Sequence, residues 1–181
     1  MRAQTVYENI EFKRGRDPKH VLGIGKVAQI KQWFEKWAPN TEYIINNDLS
    51  IYISGTLDLR NTKITSLPNN LKVNNYLDLR GANITSLPNN LKVGKGLFLS
   101  SSKITSLPDN LKISGNLDLY NTDITSLPNN LKVGGYLDLR STKITSFPDD
   151  LEVSGNLYLE NTKVNLLPDN LKIEGKIFKN F

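Results

Sequence analysis

From residue 57 onward the apolar positions keep a fixed rhythm. Leu57 and Leu59 alternate with Asp58 and Arg60, Ile64 and Leu67 follow, and Leu71 and Val73 flank Lys72. The same spelling restarts at Leu77, Leu97, Leu117, Leu137 and Leu157, and a partial copy begins at Ile177. The period is 20 residues through six copies, with no insertion or deletion. Alternation at period two predicts short half-buried strands, with the leucines inside and Asp58 and Arg60 outside. A fixed period of this size predicts a solenoid, in which each coil buries its apolar side on its neighbours.

Within a coil, Leu57, Leu59, Ile64, Leu67, Leu71 and Val73 are the expected core. Leu71 and Val73 suggest a second extended segment on the far side of the coil. Thr62, Ala82, Ser102, Thr122, Thr142 and Thr162 share one bend position. They are small and mostly hydroxylated, as a buried column facing backbone groups requires. Pro68 and its equivalents end the local pairing. Asn74-Asn75, Gly94-Lys95-Gly96, Ser114-Gly115 and Gly134-Gly135 carry turn chemistry leading to the next strand.

Residues 46–56 read as a degenerate half-coil, with Ile51 and Ile53 in the places of Leu71 and Val73. Before it, Val27, Ile30, Trp33, Phe34 and Trp37 fall on one helical face, and Pro39 closes that helix. Asp17-Pro18 reads as an N-cap followed by the first helical residue, opening a short helix through Val21. The expected division is a helical cap over residues 1–45 and the solenoid over residues 46–181. A solenoid needs its terminal coil covered, and both tryptophans lie in the helix that would cover it.

The string Leu-x-Leu-x-x-Thr-x-Ile-Thr-Ser-Leu-Pro resembles the short, 20-residue leucine-rich repeat of bacterial type, over about two thirds of the chain. That resemblance implies an α+β repeat fold: a leucine-rich-repeat solenoid with a parallel concave sheet and, here, an N-terminal helical cap. Two departures stand out. The family usually places Asn where this chain has Thr62, and its doubled Leu-Pro is single here. Hydroxyls replace only part of an Asn ladder, having one hydrogen to donate where the amide has two, so a flatter coil, closer to a β-solenoid, is the alternative. Some family members are ubiquitin ligases with a catalytic cysteine in a separate domain; this chain has no cysteine, so that activity is not carried over. The segment Tyr7–Pro18, with Gly23-Ile24-Gly25, resembles leader segments of uncharacterised proteins of large tailed bacteriophages. It implies a phage or prophage origin and no chemistry.

The absence of cysteine also excludes disulfides and thiolate metal sites, and fits a reducing compartment. No apolar h-region opens the chain, and no apolar run approaches the roughly 20 residues that span a bilayer. The expected location is the cytoplasm, the bacterial host's if the chain is phage-encoded, with the virion as the alternative. The charge of +5 is dispersed: residues 1–56 carry eight Lys/Arg against six Asp/Glu, and residues 57–181 carry fifteen against twelve. That spread argues against a nucleic-acid footprint.

An enzyme is not expected. His20 is the only histidine and stands outside the repeats; the serines and threonines sit at structural repeat positions. Gly23-Ile24-Gly25 lacks the second element of a phosphate loop. Asp58, Asp78, Asp118 and Asp138 form a carboxylate column, but Arg60, Arg80 and Arg140 lie on the same strands and face. An Asp/Arg lattice is favoured there over a cation site, and no metal or other cofactor is implied.

Lysines at 72, 92, 112, 132 and 172, with Glu152 as the exception, form an outward stripe read as solubilising. The first strand is more informative because its outward positions vary. Tyr76, Arg80, Phe98, Tyr120, Tyr136, Arg140 and Tyr158 are therefore the expected partner-binding residues, being of types enriched at interface hot spots. The expected function is a non-enzymatic interaction module that binds an unidentified protein through the concave sheet, a host factor in infection. The alternative is a structural or assembly component of a virion. The terminal coil around Ile177, Phe178 and Phe181 is a further candidate for self-association, since uncovered edges invite pairing.

Overall fold

A computed structural model describes the backbone of Val6–Glu8 and of residues 18–180, with side chains from residue 23 onward. The elements are β1 (Val6–Glu8), α1 (Pro18–Trp37), β2 (Tyr43–Ile45) and β3 (Ile51–Ile53), followed by two short strands per coil. These are β4 (Leu57–Asp58), β5 (Leu71–Val73), β6 (Tyr76–Asp78), β7 (Lys92–Val93), β8 (Gly96–Phe98) and β9 (Lys112–Ile113). The remainder are β10 (Asn116–Asp118), β11 (Lys132–Val133), β12 (Leu137–Asp138), β13 (Glu152–Val153), β14 (Leu157–Tyr158), β15 (Lys172–Ile173) and β16 (Ile177–Phe178).

The chain is a parallel β-solenoid of about six turns with one N-terminal helix. Seven strands, β4 to β16 by even numbers, make a front sheet. Nine strands make a back sheet, in the order β1-β2-β3-β5-β7-β9-β11-β13-β15. Because the period never slips, every pairing between coils joins equivalent residues, such as Leu57 with Leu77 and Val73 with Val93. The far-side segment at Leu71–Val73 is thus a full partner of the front strand, and both faces of the coil are sheets.

Between the sheets lies one continuous core. Leu57, Leu59, Leu77, Leu79, Leu97, Leu99, Leu117, Leu119, Leu137 and Leu139 have no exposed surface. Burying one such side chain contributes about 1.5–3 kcal/mol. The bend column closes each coil on itself. The hydroxyls of Thr62, Thr122, Thr142 and Thr162 donate to the carbonyls of Leu59, Leu119, Leu139 and Leu159 at 2.7, 2.8, 2.6 and 2.8 Å. These bonds stay within a coil, whereas the backbone ladder ties one coil to the next, as from Leu59 N–H to Asp78 O at 2.8 Å.

A second column was not foreseen. Asn61, Gly81, Ser101, Asn121, Ser141 and Asn161 all take left-handed backbone angles, with φ between 53° and 66°. Asn70, Asn110 and Asn130 repeat the trick before the back strand, with φ of 55–57°. Such angles suit Gly and Asn, which is why these two types alternate with Ser there. The turns themselves stack closely: a Cβ on Gly115 would lie 1.5 Å from the Lys95 carbonyl oxygen.

The N-terminal region departs from expectation. The short helix through Val21 and the apolar face at 27–37 belong to a single helix, α1, which runs through Gly23-Ile24-Gly25. That segment is helix interior, so no phosphate loop exists there. Asp17 and most of the Tyr7–Pro18 segment lie outside the described residues. The helix face packs as the periodicity implies. Val27 and Phe34 are buried, Ile30, Trp33 and Trp37 are partly so, and Trp33 Nε1 donates to Ser66 O at 3.3 Å. Phe34 stacks on Tyr43 at 3.8 Å between ring centroids. Tyr43 belongs to a hairpin, β2–β3, that residue periodicity did not reveal; β1 pairs parallel beside it. The half-coil alignment holds, with Ile51 opposite Leu71 and Ile53 opposite Val73.

Candidate functional site

Parallel, in-register stacking turns each repeat position into a row across the front sheet. The row between the two inward leucines reads Asp58, Asp78, Phe98, Asp118, Asp138, Tyr158 and Phe178. Neighbours along a row stand about 4.8 Å apart, so like charges must be offset.

Three of the four aspartates are offset by their own strand. Arg60, Arg80 and Arg140 each fold back onto Asp58, Asp78 and Asp138, donating Nε to Oδ1 at 2.9, 2.9 and 3.0 Å and Nη2 to Oδ2. The arginine backbone N–H donates to the same carboxylate. This bidentate grip holds the Asp58 carboxyl below the usual aspartate range and raises the guanidinium of Arg140. Asp78 and Asp138 are buried beneath the guanidiniums, although strand alternation places them outward. The expected Asp/Arg lattice is therefore present at three coils. Among the described residues no three His, Cys, Asp or Glu side chains converge to hold a metal ion.

The aromatic side chains fall beside these arginines in two groups. Tyr76 stacks on Phe98 at 5.8 Å, with Arg80 at 5.5 Å from the Phe98 ring and Lys95 at 5.9 Å from the Tyr76 ring. The second group centres on Arg140, whose guanidinium lies 5.5 Å from the Tyr120 ring and 5.3 Å from that of Tyr158. Tyr136 meets Tyr158 edge-on at 6.0 Å, and Tyr158 stacks on Phe178 at 4.9 Å. All seven residues singled out in the sequence lie on this one face. They form two clusters, Tyr76/Arg80/Phe98 and Tyr120/Tyr136/Arg140/Tyr158. Tyr76 and Tyr120 are exposed, at 39% and 42%.

Asp118 sits between the clusters. Tyr120 stands where its arginine would be, so the Asp118 carboxylate is held instead by the Tyr120 N–H, which donates to Oδ1 at 3.0 Å, and by the Ser100 side chain. Burial raises its pKa, and Asp138 adds to the effect. The Tyr136 phenol is likewise pushed up, first by burial, then by Asp118 and Asp138. Glu160 is the other front acid without a guanidinium on its own strand. Its Oε2 is shut from solvent with no hydrogen-bond partner, alone in that respect among the described side chains. Lys95, Asp118, Glu160 and Phe178 thus belong to the surface, and sequence reading passed over them as site members. Row position would have found Asp118, Glu160 and Phe178, since each occupies a slot equivalent to a chosen residue; Lys95 shares its slot with Asn75 and glycines.

A groove of about 1050 Å³ lies on the other side, over the back sheet. Lys72, Lys92 and Lys112 line it together with Asn70, Asn90 and Asn110. Asn90 donates to Asn70 at 2.7 Å, and Lys72 lies over the Tyr52 ring at 5.4 Å. Further along the column Glu152 is held between Lys132 and Lys172, at 2.6 and 3.0 Å. The exception in the lysine stripe is therefore a clamp between two lysines. No helix among the described residues is long and apolar enough to cross a membrane. No protein-family model, curated protein or solved structure matches the chain.

Proposed function

We propose that this chain is a non-enzymatic, leucine-rich-repeat-type interaction module that binds a protein partner through its front sheet, the concave face of that reading. Arg80 and Arg140 carry the reading most directly. Each is anchored to a buried aspartate and set against aromatic rings beside an exposed tyrosine. Rings and anchored guanidiniums gain contact area at small cost in side-chain freedom. The guanidinium-free Asp118 would accept donors from a partner. The phage-like leader segment points to a host factor in an infected bacterium as that partner, and to the cytoplasm as the place of action. A structural role in a virion is the alternative; association with purified particles would favour it.

A second binding surface is favoured by one observation. Lys92 and Lys112 line the back groove without an ion-pair partner among the described residues, so an acidic segment would be drawn there. One experiment separates the two surfaces. The wild-type chain, a Phe98→Ala/Tyr120→Ala variant and a Lys92→Glu/Lys112→Glu variant are immobilised and offered bacterial lysate. Loss of a captured protein with the first variant alone supports the front sheet; loss with the second alone moves the site to the back.

A further inference from the structure

A guanidinium closed on a carboxylate recurs along the front sheet. Arg60 grips Asp58, Arg80 grips Asp78 and Arg140 grips Asp138. In the last two the same guanidinium also lies on a ring, Arg80 on Phe98 at 5.5 Å, and Arg140 on Tyr120 and Tyr158 at 5.5 and 5.3 Å. The coils that begin at Leu97 and Leu117 split this unit between them. The first has Phe98 in the aspartate slot and Ser100 in the arginine slot; the second keeps Asp118 and has Tyr120 in the arginine slot. Asp118 is therefore a carboxylate beside rings, with two neutral donors, the Tyr120 N–H and the Ser100 side chain. Phe98 is its in-register neighbour on one side. On the side of Asp138, the Tyr136 phenol is close enough to feel the Asp118 charge.

Neighbouring cations do not fill the vacancy. The fields of Arg80 and Arg140 reach Asp118, but each fork is closed on its own aspartate. The carboxylate is also reachable. Asp78 and Asp138 are 7% and 5% exposed beneath their guanidiniums, whereas Asp118 is partly exposed and Tyr120 beside it is exposed. Ser100, between Arg80 and Tyr120, is the shortest side chain of its row, so the surface dips next to Asp118.

We propose that an arginine side chain of a partner protein docks here, its guanidinium on the Asp118 carboxylate and its plane against the Phe98 and Tyr120 rings. The proposal rests on the front-sheet reading and names the chemistry of its partner. The contact completes between two proteins the unit that Arg80 and Arg140 complete within this chain. Arginine is selected over lysine because a planar fork grips both carboxylate oxygens while its face stacks on a ring. Charge agrees, since Asp78, Asp118 and Asp138 stand against Arg80 and Arg140 and leave one negative charge in the middle of the face.

Acetyl-arginine amide, whose one charge is its guanidinium, tests the slot without the partner. Binding is read by NMR at pH 7 from the Asp118 carboxyl carbon and the Tyr120 and Tyr136 rings. A saturable shift with a dissociation constant of about 1–10 mM is expected. Acetyl-lysine amide should bind roughly threefold more weakly or worse, and uncharged acetyl-citrulline amide should give no response. Asp118→Asn should abolish the ring response, and a melting temperature no lower than wild type would show that it folds. Tyr120→Arg writes the missing guanidinium into the strand. It should by itself move the Asp118 carbon to the probe-saturated position and leave no response to the probe. No saturable shift up to about 50 mM, an equal response to acetyl-lysine amide, or a Tyr120→Arg chain that still binds the probe would each overturn the proposal. A silent probe together with front-dependent capture, lost in Phe98→Ala/Tyr120→Ala, would overturn the arginine slot and leave the front-sheet reading standing.

Discussion

The two sheets are made by the same coils and bury the same core, yet they handle repetition differently. In an in-register parallel stack every side chain meets its own kind unless the sequence varies. The back sheet repeats lysine and lets the long side chains run out to water, with Glu152 clamping one pair. The front sheet repeats aspartate and neutralises it within each strand through arginine. Where that pattern lapses, at Phe98, Tyr120, Tyr158 and Phe178, rings fill the slots and pack on the neighbouring arginines or on each other. Charge on the back is loosely held; charge on the front is fixed in place. A fixed surface is the better recognition element, because less freedom is lost on binding.

The broadest way to break this comparison is through the shared core. Leu117→Ala, behind the front sheet, and Leu131→Ala, behind the back, should each cost about 2–5 kcal/mol in chemical denaturation. A large loss from one and none from the other would mean the sheets are not one cooperative unit. Next in size is the contrast in charge. Arg140→Ala strands Asp138, which is 5% exposed, and should cost about 1.5–3 kcal/mol. Lys112→Ala should change stability by less than about 0.5 kcal/mol, since it removes an exposed charge from a like-charged row. Thr122→Val should cost about 1 kcal/mol by leaving the Leu119 carbonyl without its hydroxyl donor.

The smallest effect concerns Asp118. Burial raises its pKa in the folded chain, so the native state holds this proton more tightly than the unfolded state does. Its contribution to stability therefore falls as pH rises from the ordinary aspartate value of 3.8 through the raised value, and stays low above it. Asp118→Asn should melt higher than wild type at pH 7, with the gap closing below pH 3.8. An equal gap at both pH values would remove the titration from the account.

The solenoid was legible because a 20-residue period with fixed apolar slots leaves few ways to stack. The inward leucines, the far-side strand, the hydroxyl bend and the half-coil at Ile51 and Ile53 all follow from that spelling. Three features did not. The β2–β3 hairpin is too short for alternation to stand out, and only its tertiary contacts, such as Phe34 on Tyr43, define it. The left-handed column was written in plain view as Asn61, Gly81, Ser101, Asn121, Ser141 and Asn161, but backbone angle leaves no hydropathy signal. Helix α1 was split at Gly23 and Gly25, whose helix penalty of roughly 1 kcal/mol each is outweighed in context. At the front surface, residue types marked the seven side chains. Their division into two clusters around Asp118 depends on which arginine reaches which ring, and that is a matter of three-dimensional reach.

The central claim is that recognition lives on the front sheet. The most direct measurement is quantitative capture from bacterial lysate by three folded proteins: wild type, Phe98→Ala/Tyr120→Ala, and Lys92→Glu/Lys112→Glu. A protein retained by wild type and by the back-sheet variant, and lost at least tenfold with the front-sheet variant, is the outcome expected. Equal retention by wild type and the front-sheet variant would contradict it.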